Sequence, residues 1–137
     1  MTNIDIAVKG IVIHNDRILL VQRAATDETG ASTWESVGGQ ISFGETPEQA
    51  LQREFQEEIG LNIRVEQLLY CTSIMTSATR QVIILVYTCN SQDMSVTLSA
   101  EHSDYRWATL AEAGELLPEH IINDYEKHNV FKLFSKR

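Results

Sequence analysis

Two apolar runs near the start of the chain predict a β-hairpin. The stretch "DIAVKGIVIHNDRILLVQRA" is rich in β-branched and other apolar residues on both sides of Asn15 and Asp16. Such runs on either side of a short polar turn are typical of two paired strands. A polar loop, "ATDETGAST" at residues 25–33, follows. We therefore predict one strand on each side of the turn and a break after the second.

The signals for the start and end of a helix come next. Thr46 can cap a helix, Pro47 suits its first position, and Gln49 completes a capping box. Gly60 is placed to end the helix, because glycine adopts the left-handed conformation without strain. These signals predict a helix of about three turns between Thr46 and Gly60.

Apolar and acidic side chains separate on this predicted helix. With 100° per residue, an apolar stripe is expected from Leu51, Phe55 and Ile59. Glu54, Glu57 and Glu58 span about 100° of the neighbouring face. Like charges one turn apart repel by a few tenths of a kcal/mol per pair. The face is therefore either a solvated surface or a site for a strongly cationic group, such as a hard divalent ion.

The rest of the chain alternates strand and helix patterns. Strands are predicted near residues 34–37, 63–74, 81–89, 96–98 and 105–108. Residues 109–128 have a helical pattern that Pro118 interrupts. Strands mixed with two or three helices indicate an α+β fold with a mixed sheet. A length of 137 residues suits a single domain that spans 1–137.

Composition limits the classes of partner. The formal net charge of −8 opposes binding to nucleic acid or to an anionic membrane. A polyanionic substrate would need metal ions or a few placed cations. We expect no signal peptide, because residues 1–10 lack a basic region and a sustained apolar run. We expect no membrane span, because the longest apolar run, residues 82–87, is far too short. Cys71 and Cys89 lack the paired spacing of a metal or redox motif, which predicts reduced cysteines in strands and a cytoplasmic protein.

The acidic helix lies within a longer spaced pattern. Gly39 is followed by five residues, Glu45, seven residues and then "REFQEEIGL" at residues 53–61. This pattern resembles the Nudix box, G-x5-E-x7-R-E-U-x-E-E-x-G-U with U a bulky apolar residue, at every fixed position. Phe55 stands where the family more often has an aliphatic residue. The flanks "LLVQRA", "WESVGG" and "DYRWATLAEAGELL" also resemble MutT-type members, so the resemblance implies a mixed sheet sandwiched between helices (α/β/α).

The resemblance implies a divalent cation site. It assigns Mg²⁺, or Mn²⁺, to Glu54, Glu57 and Glu58, together with Gly39. In MutT-type members a loop glutamate six residues before a tryptophan joins the metal site, and Glu101 has this spacing from the next tryptophan. An ordinary surface glutamate is the alternative for Glu101. The resemblance thus names a catalytic set: Arg53, Glu54, Glu57, Glu58 and Glu101.

Other positions are implied to orient the site or to bind substrate. Glu45 and Arg53 would orient the metal ligands. Arg23 would either meet a substrate phosphate or form a surface salt bridge. Trp34 would either stack on a base or fill the core. His120 takes the place of the asparagine that reads oxidised guanine in MutT-type enzymes, so that specificity is not expected here.

One more histidine adjoins the metal candidate in the loop before the last predicted strand. His102 could act as a base, but a lone loop histidine is more often solvated, and we predict the latter. The side chain follows Glu101 directly in "SAEHSDYRW".

The implied reaction is hydrolysis of a nucleoside diphosphate linked to another group, by attack of water on phosphorus. The short chain and MutT-like flanks favour a small nucleoside triphosphate as substrate. The alternatives are an ADP-ribose or nucleotide-sugar pyrophosphatase, a non-catalytic nucleotide sensor, and an isopentenyl diphosphate isomerase. Isomerases use a cysteine upstream of the box, whereas both cysteines here lie downstream. Dimers are frequent in this family, so a homodimer is one expectation.

Overall fold

A hairpin opens the fold, as the apolar runs predict. The computed structural model describes residues 1–26 and 31–135, and the predicted loop at 25–33 lies partly outside them. Strand β1 spans Asn3–His14 and strand β2 spans Arg17–Arg23. The two strands pair antiparallel next to the turn. Both turn residues have positive φ, 52° and 59°, a conformation that suits the twist of a two-residue hairpin.

A mixed sheet is built around β1. The further strands are β3 (Trp34–Glu35), β4 (Val37–Gln40), β5 (Arg64–Met75), β6 (Arg80–Asn90) and β7 (His102–Ala108). On one side β1 pairs parallel with β6, which pairs antiparallel with β5. On the other side β1 pairs antiparallel with β4 and with β2, and β2 continues the sheet to β3 and β7. The strand β1 is therefore central and carries side chains into both faces.

Helices cover the two faces of this sheet. They are α1 (Pro47–Ile59), α2 (Leu110–Leu116), α3 (Glu119–Lys127) and a 3₁₀ helix (Val130–Ser135). Val8 and Val12 of β1 join the core under α1, whereas Ile11 joins the core under the other helices. Alternate residues of a strand face opposite sides, so the predicted α/β/α sandwich is confirmed. In the described part of the chain no helix is long and apolar enough to cross a membrane.

The ends of α1 have the predicted caps. The Thr46 hydroxyl accepts a hydrogen bond from the Gln49 backbone N–H at 3.1 Å, and Gln49 Oε1 accepts one from the Thr46 N–H at 3.0 Å. Gly60 ends the helix with φ of 68°. The predicted apolar stripe is fully buried: Leu51, Phe55 and Ile59. Local sequence signals therefore fix both the length of this helix and the face that it buries.

The predicted strand at residues 96–98 is wrong. These residues form no regular element, and they lie against the end of α1. The Thr97 N–H donates to the carbonyl of Ile59, and the Ser99 N–H donates to that of Glu58, both at 2.9 Å. Carbonyls in the last turn of a helix need partners from outside it. The β-branched segment satisfies them, and its apolar side chains pack on the core under α1.

Both cysteines lie on strands, as predicted, and the two strands are neighbours. Cys71 is exposed on β5 and Cys89 is buried on β6, and both are free thiols. Burial raises the pKa of the Cys89 thiol to about 12. Cys89 therefore behaves as a small core residue.

Candidate active site

The glutamate face of α1 has a buried part and an exposed part. Glu58 is 4% exposed and the Glu54 side chain is 14% exposed, whereas the Glu57 side chain is 59% exposed. Gly39 on β4 lets Glu54 lie against the sheet backbone, because a Cβ at this position would overlap the Glu54 carboxylate. One helix face thus carries three carboxylates with different surroundings.

Arg53 connects four groups around α1. Its Nε donates to Glu45 Oε2 at 2.7 Å, and its Nη2 donates to Glu45 Oε1 at 3.0 Å. Its Nη1 donates to Glu54 Oε1 at 2.7 Å and to Glu57 Oε1 at 3.1 Å, and Nη2 also donates to the Gln40 carbonyl. The hydrogen bonds from Arg53 hold the pKa of Glu45 at about 2. This geometry suits the orienting role expected of Glu45 and Arg53.

Glu58 lies in surroundings that disfavour its negative charge. Burial raises the pKa of Glu58 well above its ordinary value, and the neighbouring Glu54 carboxylate raises it further. Two carboxylates in one buried place repel unless a proton or a cation offsets their charge. A hard divalent cation such as Mg²⁺ or Mn²⁺ would do so, and carboxylate oxygens are the ligands that it prefers. The donor set therefore fits the cation that the family resemblance implies.

The carboxylates of α1 already have partners within the protein. Within residues 1–26 and 31–135, no three His, Cys, Asp or Glu side chains converge as a ready-made metal site. Arg53 engages one oxygen of Glu54 and one of Glu57, and His102 lies against Glu58. Cation binding would therefore require these side chains to turn on the fixed backbone of α1.

His102 is buried, so the prediction of a solvated loop histidine is wrong. Its side chain is 3% exposed, with Nε2 3.2 Å from Glu35 Oε2 and Nδ1 3.5 Å from Glu58 Oε1. The residue begins β7, where it pairs with Arg23 of β2. This strand pairing places the imidazole between two carboxylates that are distant in sequence.

Sequence reasoning also missed Glu35 and Lys9. Burial alone would raise the pKa of Glu35, but Lys9, His102 and Arg23 together lower it to about 2. The Lys9 ammonium donates to Glu35 Oε1 at 3.3 Å and to the Ser36 carbonyl at 3.2 Å. The signal that could have revealed both residues is a charged side chain within an otherwise apolar strand.

A cavity of about 490 Å³ joins these groups. We call it the carboxylate cavity, and its ionisable lining consists of Asp5, Lys9, Arg23, Glu35, Glu54, Glu58, Arg80, Glu101 and His102. Gly39 lines it as well, whereas Glu57 does not. The structure thus brings Glu101 to Glu54 and Glu58 of α1, where its charge adds to the effects that raise the pKa of Glu58.

A second cavity, of about 550 Å³, adjoins the first. We call it the tyrosine cavity, because Tyr70 and Tyr125 line it together with apolar residues of β5, β6 and α3. Four residues line both cavities: Lys9, Arg23, Glu35 and Arg80. Three basic side chains therefore lie where an acidic cavity meets a more apolar one.

Two of the three expected substrate-binding residues lie at these cavities. Arg23 lines both, and His120 lines the tyrosine cavity. Trp34 lines neither. It is 9% exposed, belongs to the core under α2 and α3, and has the Arg106 guanidinium 5.7 Å from its ring centroid. The expectation that Trp34 stacks on a base is therefore corrected, and its alternative role in the core is the one observed.

Comparison with known proteins identifies the family of this chain. The model of the NUDIX domain family matches residues 5–128. A MutT-like protein of Streptomyces ambofaciens is 32% identical over 114 residues, which cover 83% of this chain and 70% of that protein. The CTP pyrophosphohydrolase of Escherichia coli (strain K12) is 34% identical over 107 residues, which cover 77% and 76%. The 8-oxo-dGTP diphosphatase of the same strain is 44% identical over 61 residues, which cover 44% and 46%.

Solved structures show the same fold. The crystal structure of a MutT protein from Methanosarcina mazei Go1 superposes with a TM-score of 0.84, covering 99% of this chain and 98% of that one at 24% identity. The solution structure of the E. coli ORF135 protein gives 0.77, with 96% and 92% covered at 24% identity. At these identities the likeness concerns the fold alone. With the family match over most of its length, the chain belongs to the NUDIX family and is a hydrolase acting on phosphoric anhydride bonds.

Proposed function

We propose that this protein hydrolyses a nucleoside triphosphate to the monophosphate and pyrophosphate in the presence of Mg²⁺ or Mn²⁺. The observation that carries the proposal is the contact between the two cavities. An acidic cavity suits cation-bound phosphates, a more apolar cavity suits a base, and three basic side chains lie between them. A nucleotide with a short polyphosphate has the same order of chemical groups.

The cation would be held by carboxylates of α1. The candidate ligands are Glu54, Glu57 and Glu58, with Gly39 and Glu101 beside them. When bound, the cation neutralises charge on phosphate oxygens and lowers the pKa of a bound water. A chain with a net charge of −8 repels a polyphosphate over most of its surface, so binding requires a cation at the site.

Arginine side chains would position both protein and substrate. Arg53 holds Glu45 by two hydrogen bonds and orients Glu54 and Glu57 through a third and a fourth. Orienting partners of this kind typically contribute 10- to 100-fold to metal affinity or activity. Arg23 lies where the cavities meet, and there it would contact a substrate phosphate.

The base would lie in the tyrosine cavity, between the sheet and α3. His120 is exposed on this wall and can hydrogen-bond a base edge, with a donor and an acceptor that depend on its tautomer. Similar proteins carry different substrate names, a CTP pyrophosphohydrolase and an 8-oxo-dGTP diphosphatase among them. Family membership alone therefore leaves the base open, and we expect a broad preference among triphosphates.

A substrate panel tests the proposal. The protein is incubated with Mg²⁺ and nucleoside triphosphates, oxidised nucleotides, nucleotide sugars and ADP-ribose, and the products are identified. We expect metal-dependent release of pyrophosphate and monophosphate, which collapses in Glu57→Gln and Glu58→Gln. Glu66→Gln, an exposed change on β5, serves as the matched control. Cleavage of nucleotide sugars or ADP-ribose with no cleavage of any triphosphate would contradict the proposal.

The remaining expectations concern partners and location. A net charge of −8 opposes nucleic acid and an anionic membrane as partners. The two adjoining cavities support a small nucleotide. A homodimer and a cytoplasmic location stay predictions from the sequence, as does a single domain over 1–137.

A further inference from the structure

We propose that Lys9 is a substrate-binding residue whose ammonium contacts the phosphate next to the nucleoside. The inference rests on the proposed function, because it places phosphates in the carboxylate cavity and a base in the tyrosine cavity. Lys9 lies outside the box, which begins at Gly39. It adds a second cation to the phosphate contact expected of Arg23.

Strand β1 holds Lys9 in the middle of the sheet. The residue pairs with Gly38 of β4 on one side and with Val86 of β6 on the other. Lysine is almost never fully buried unless a partner offsets its charge, and this side chain is 21% exposed. It lines both cavities. The backbone is therefore fixed by two ladders, while the charged end lies where the cavities meet.

The ammonium has a donor that no described residue uses. A lysine ammonium carries three hydrogens. Lys9 Nζ donates to Glu35 Oε1 at 3.3 Å and to the Ser36 carbonyl at 3.2 Å. Within residues 1–26 and 31–135 it has no third hydrogen-bond partner. One donor therefore remains for a group that enters the cavities.

The two bonds that Lys9 makes are long for a charged donor. Charge-assisted N–H···O bonds are usually about 2.7–2.9 Å, and Arg80, which also lines both cavities, binds Asp5 at 2.7 Å. Glu35 Oε1 also accepts a hydrogen bond from Arg23 at 3.2 Å, so this one oxygen serves two cations. The ammonium is therefore loosely held, and it can turn towards an anion without leaving Glu35 unpaired.

A phosphate is the group that this ammonium suits. Lysine binds phosphate as a compact point charge. Burial raises the pKa of Glu58, and the positive charge of Lys9 opposes that rise, so the ammonium is close enough to act on the candidate cation ligands. An anion that reaches both the cation and Lys9 lies at the boundary of the cavities. In a nucleotide that spans both cavities, this anion is the phosphate bonded to the nucleoside, and it stays in the monophosphate product.

Binding of the two products tests the contact without turnover. Dissociation constants of deoxyguanosine monophosphate, deoxyguanosine and pyrophosphate are measured by calorimetry at saturating Mg²⁺ for Lys9→Met and Lys9→Arg. We expect Lys9→Met to bind the monophosphate about 10- to 100-fold more weakly, because a hydrogen bond to a charged group is lost. Its affinity for deoxyguanosine and for pyrophosphate should not change. Lys9→Arg keeps the charge and should retain most of the affinity for the monophosphate.

A role limited to joining β1 and β3 would give a different pattern. Mn²⁺ affinity without nucleotide should not fall in Lys9→Met, because the change removes a positive charge near Glu58. KM for the triphosphate should rise with a smaller change in kcat, as expected for an interaction that the bound substrate already makes. Lys127→Met, an exposed change in the last turn of α3, is the matched control and should alter none of these quantities.

The unmodified protein offers a test that needs no variant, and it decides the matter if Lys9→Met does not fold. Reductive methylation followed by mass spectrometry measures how accessible each lysine ammonium is. Saturating deoxyguanosine monophosphate should slow the methylation of Lys9, whereas deoxyguanosine should not. The methylation of Lys127 should be the same in both cases.

Different failures have different meanings. If folded Lys9→Met binds the monophosphate as tightly as the unmodified protein does, or if the monophosphate leaves the methylation of Lys9 unchanged, the role of Lys9 is overturned. A loss of pyrophosphate affinity alone would place Lys9 at the leaving phosphates and would overturn the assignment too. Equal losses for the monophosphate, deoxyguanosine and Mn²⁺ would show a structural role instead. If the unmodified protein cleaves no triphosphate, the proposed function fails and this assignment fails with it.

Discussion

Arg53 and Glu45 are joined by two parallel hydrogen bonds, of 2.7 and 3.0 Å, between a guanidinium and a carboxylate. The bonds tie the loop before α1 to the middle of the helix. The same guanidinium reaches Glu54 and Glu57 with its remaining donors. A planar fork can hold two oxygens of one carboxylate in this way, whereas the single ammonium of lysine cannot.

Replacing Arg53 by lysine should therefore separate the effect of the guanidinium geometry from the effect of its charge. We expect Arg53→Lys to fold normally and to lose about 10- to 100-fold in kcat/KM, because the positive charge remains but the carboxylates lose their common partner. Arg64→Lys is the matched control, since Arg64 is 76% exposed and meets Glu66 at 3.5 Å. Such an exposed pair contributes little, so activity should not change. Normal turnover in Arg53→Lys would show that two-point contact is not needed.

Cation binding should stabilise the fold. A ligand that binds the folded state alone, at about 100 times its dissociation constant, adds about 2.7 kcal/mol to the free energy of unfolding. We expect Mg²⁺ or Mn²⁺ to raise the melting temperature of the wild type accordingly. Glu57→Gln should lose this rise yet match the wild type without metal, because the Glu57 side chain is 59% exposed.

Glu48→Gln, an exposed change in the first turn of α1, is the control and should keep the rise. A melting temperature that ignored millimolar Mg²⁺ and Mn²⁺, with and without nucleotide, would favour the reading of the acidic face as a solvated surface.

Features of the fold that depend on neighbours in sequence could be read from the chain. The capping box of Thr46 and Gln49, the left-handed end at Gly60 and the buried stripe through Phe55 are all confirmed. Each follows from the 3.6-residue period or from the hydrogen-bonding capacity of a side chain within one turn. The spacing of the box also indicated the family, which the family match over residues 5–128 shows.

Contacts between distant segments could not be read in this way. His102 was expected in solvent, but it meets Glu35, which lies 67 positions away in the chain. That meeting depends on the pairing of β7 with β2, which no local pattern specifies. Residues 96–98 likewise have β-branched composition but satisfy the open carbonyls of α1. Composition indicated burial there, and the burial was against a helix end and not within a sheet.

Acid should lower the free energy of unfolding, because Glu35 becomes protonated. The folded-state pKa of Glu35 is about 2, against an ordinary value of 4.5, so its stabilising contribution is complete above about pH 4.5 and is lost as the pH falls towards 2. We expect this contribution to be on the order of 1–3 kcal/mol. Urea unfolding of the wild type and Glu35→Gln across pH 2–7 should show a difference in unfolding free energy that shrinks over this window.

Glu66→Gln, exposed on β5, is the control for loss of one carboxylate. Its unfolding free energy should follow that of the wild type across the whole range. A difference between the wild type and Glu35→Gln that stayed constant from pH 7 to pH 2 would mean that Glu35 acts through packing and not through its charge.

Selectivity between bases should be modest. The base would meet His120, which is exposed on the wall of the tyrosine cavity and whose donor and acceptor depend on tautomer and pH. Strong rejection of a wrong base requires buried polar groups whose donors and acceptors are fixed. We therefore expect kcat/KM for the oxidised and the normal guanine triphosphate to differ by less than about a hundredfold. Both values are measured on one preparation at saturating Mg²⁺. A ratio above roughly 10⁴ is in the range that buried hydrogen-bonding groups achieve, and it would show that such a group recognises the base in this cavity.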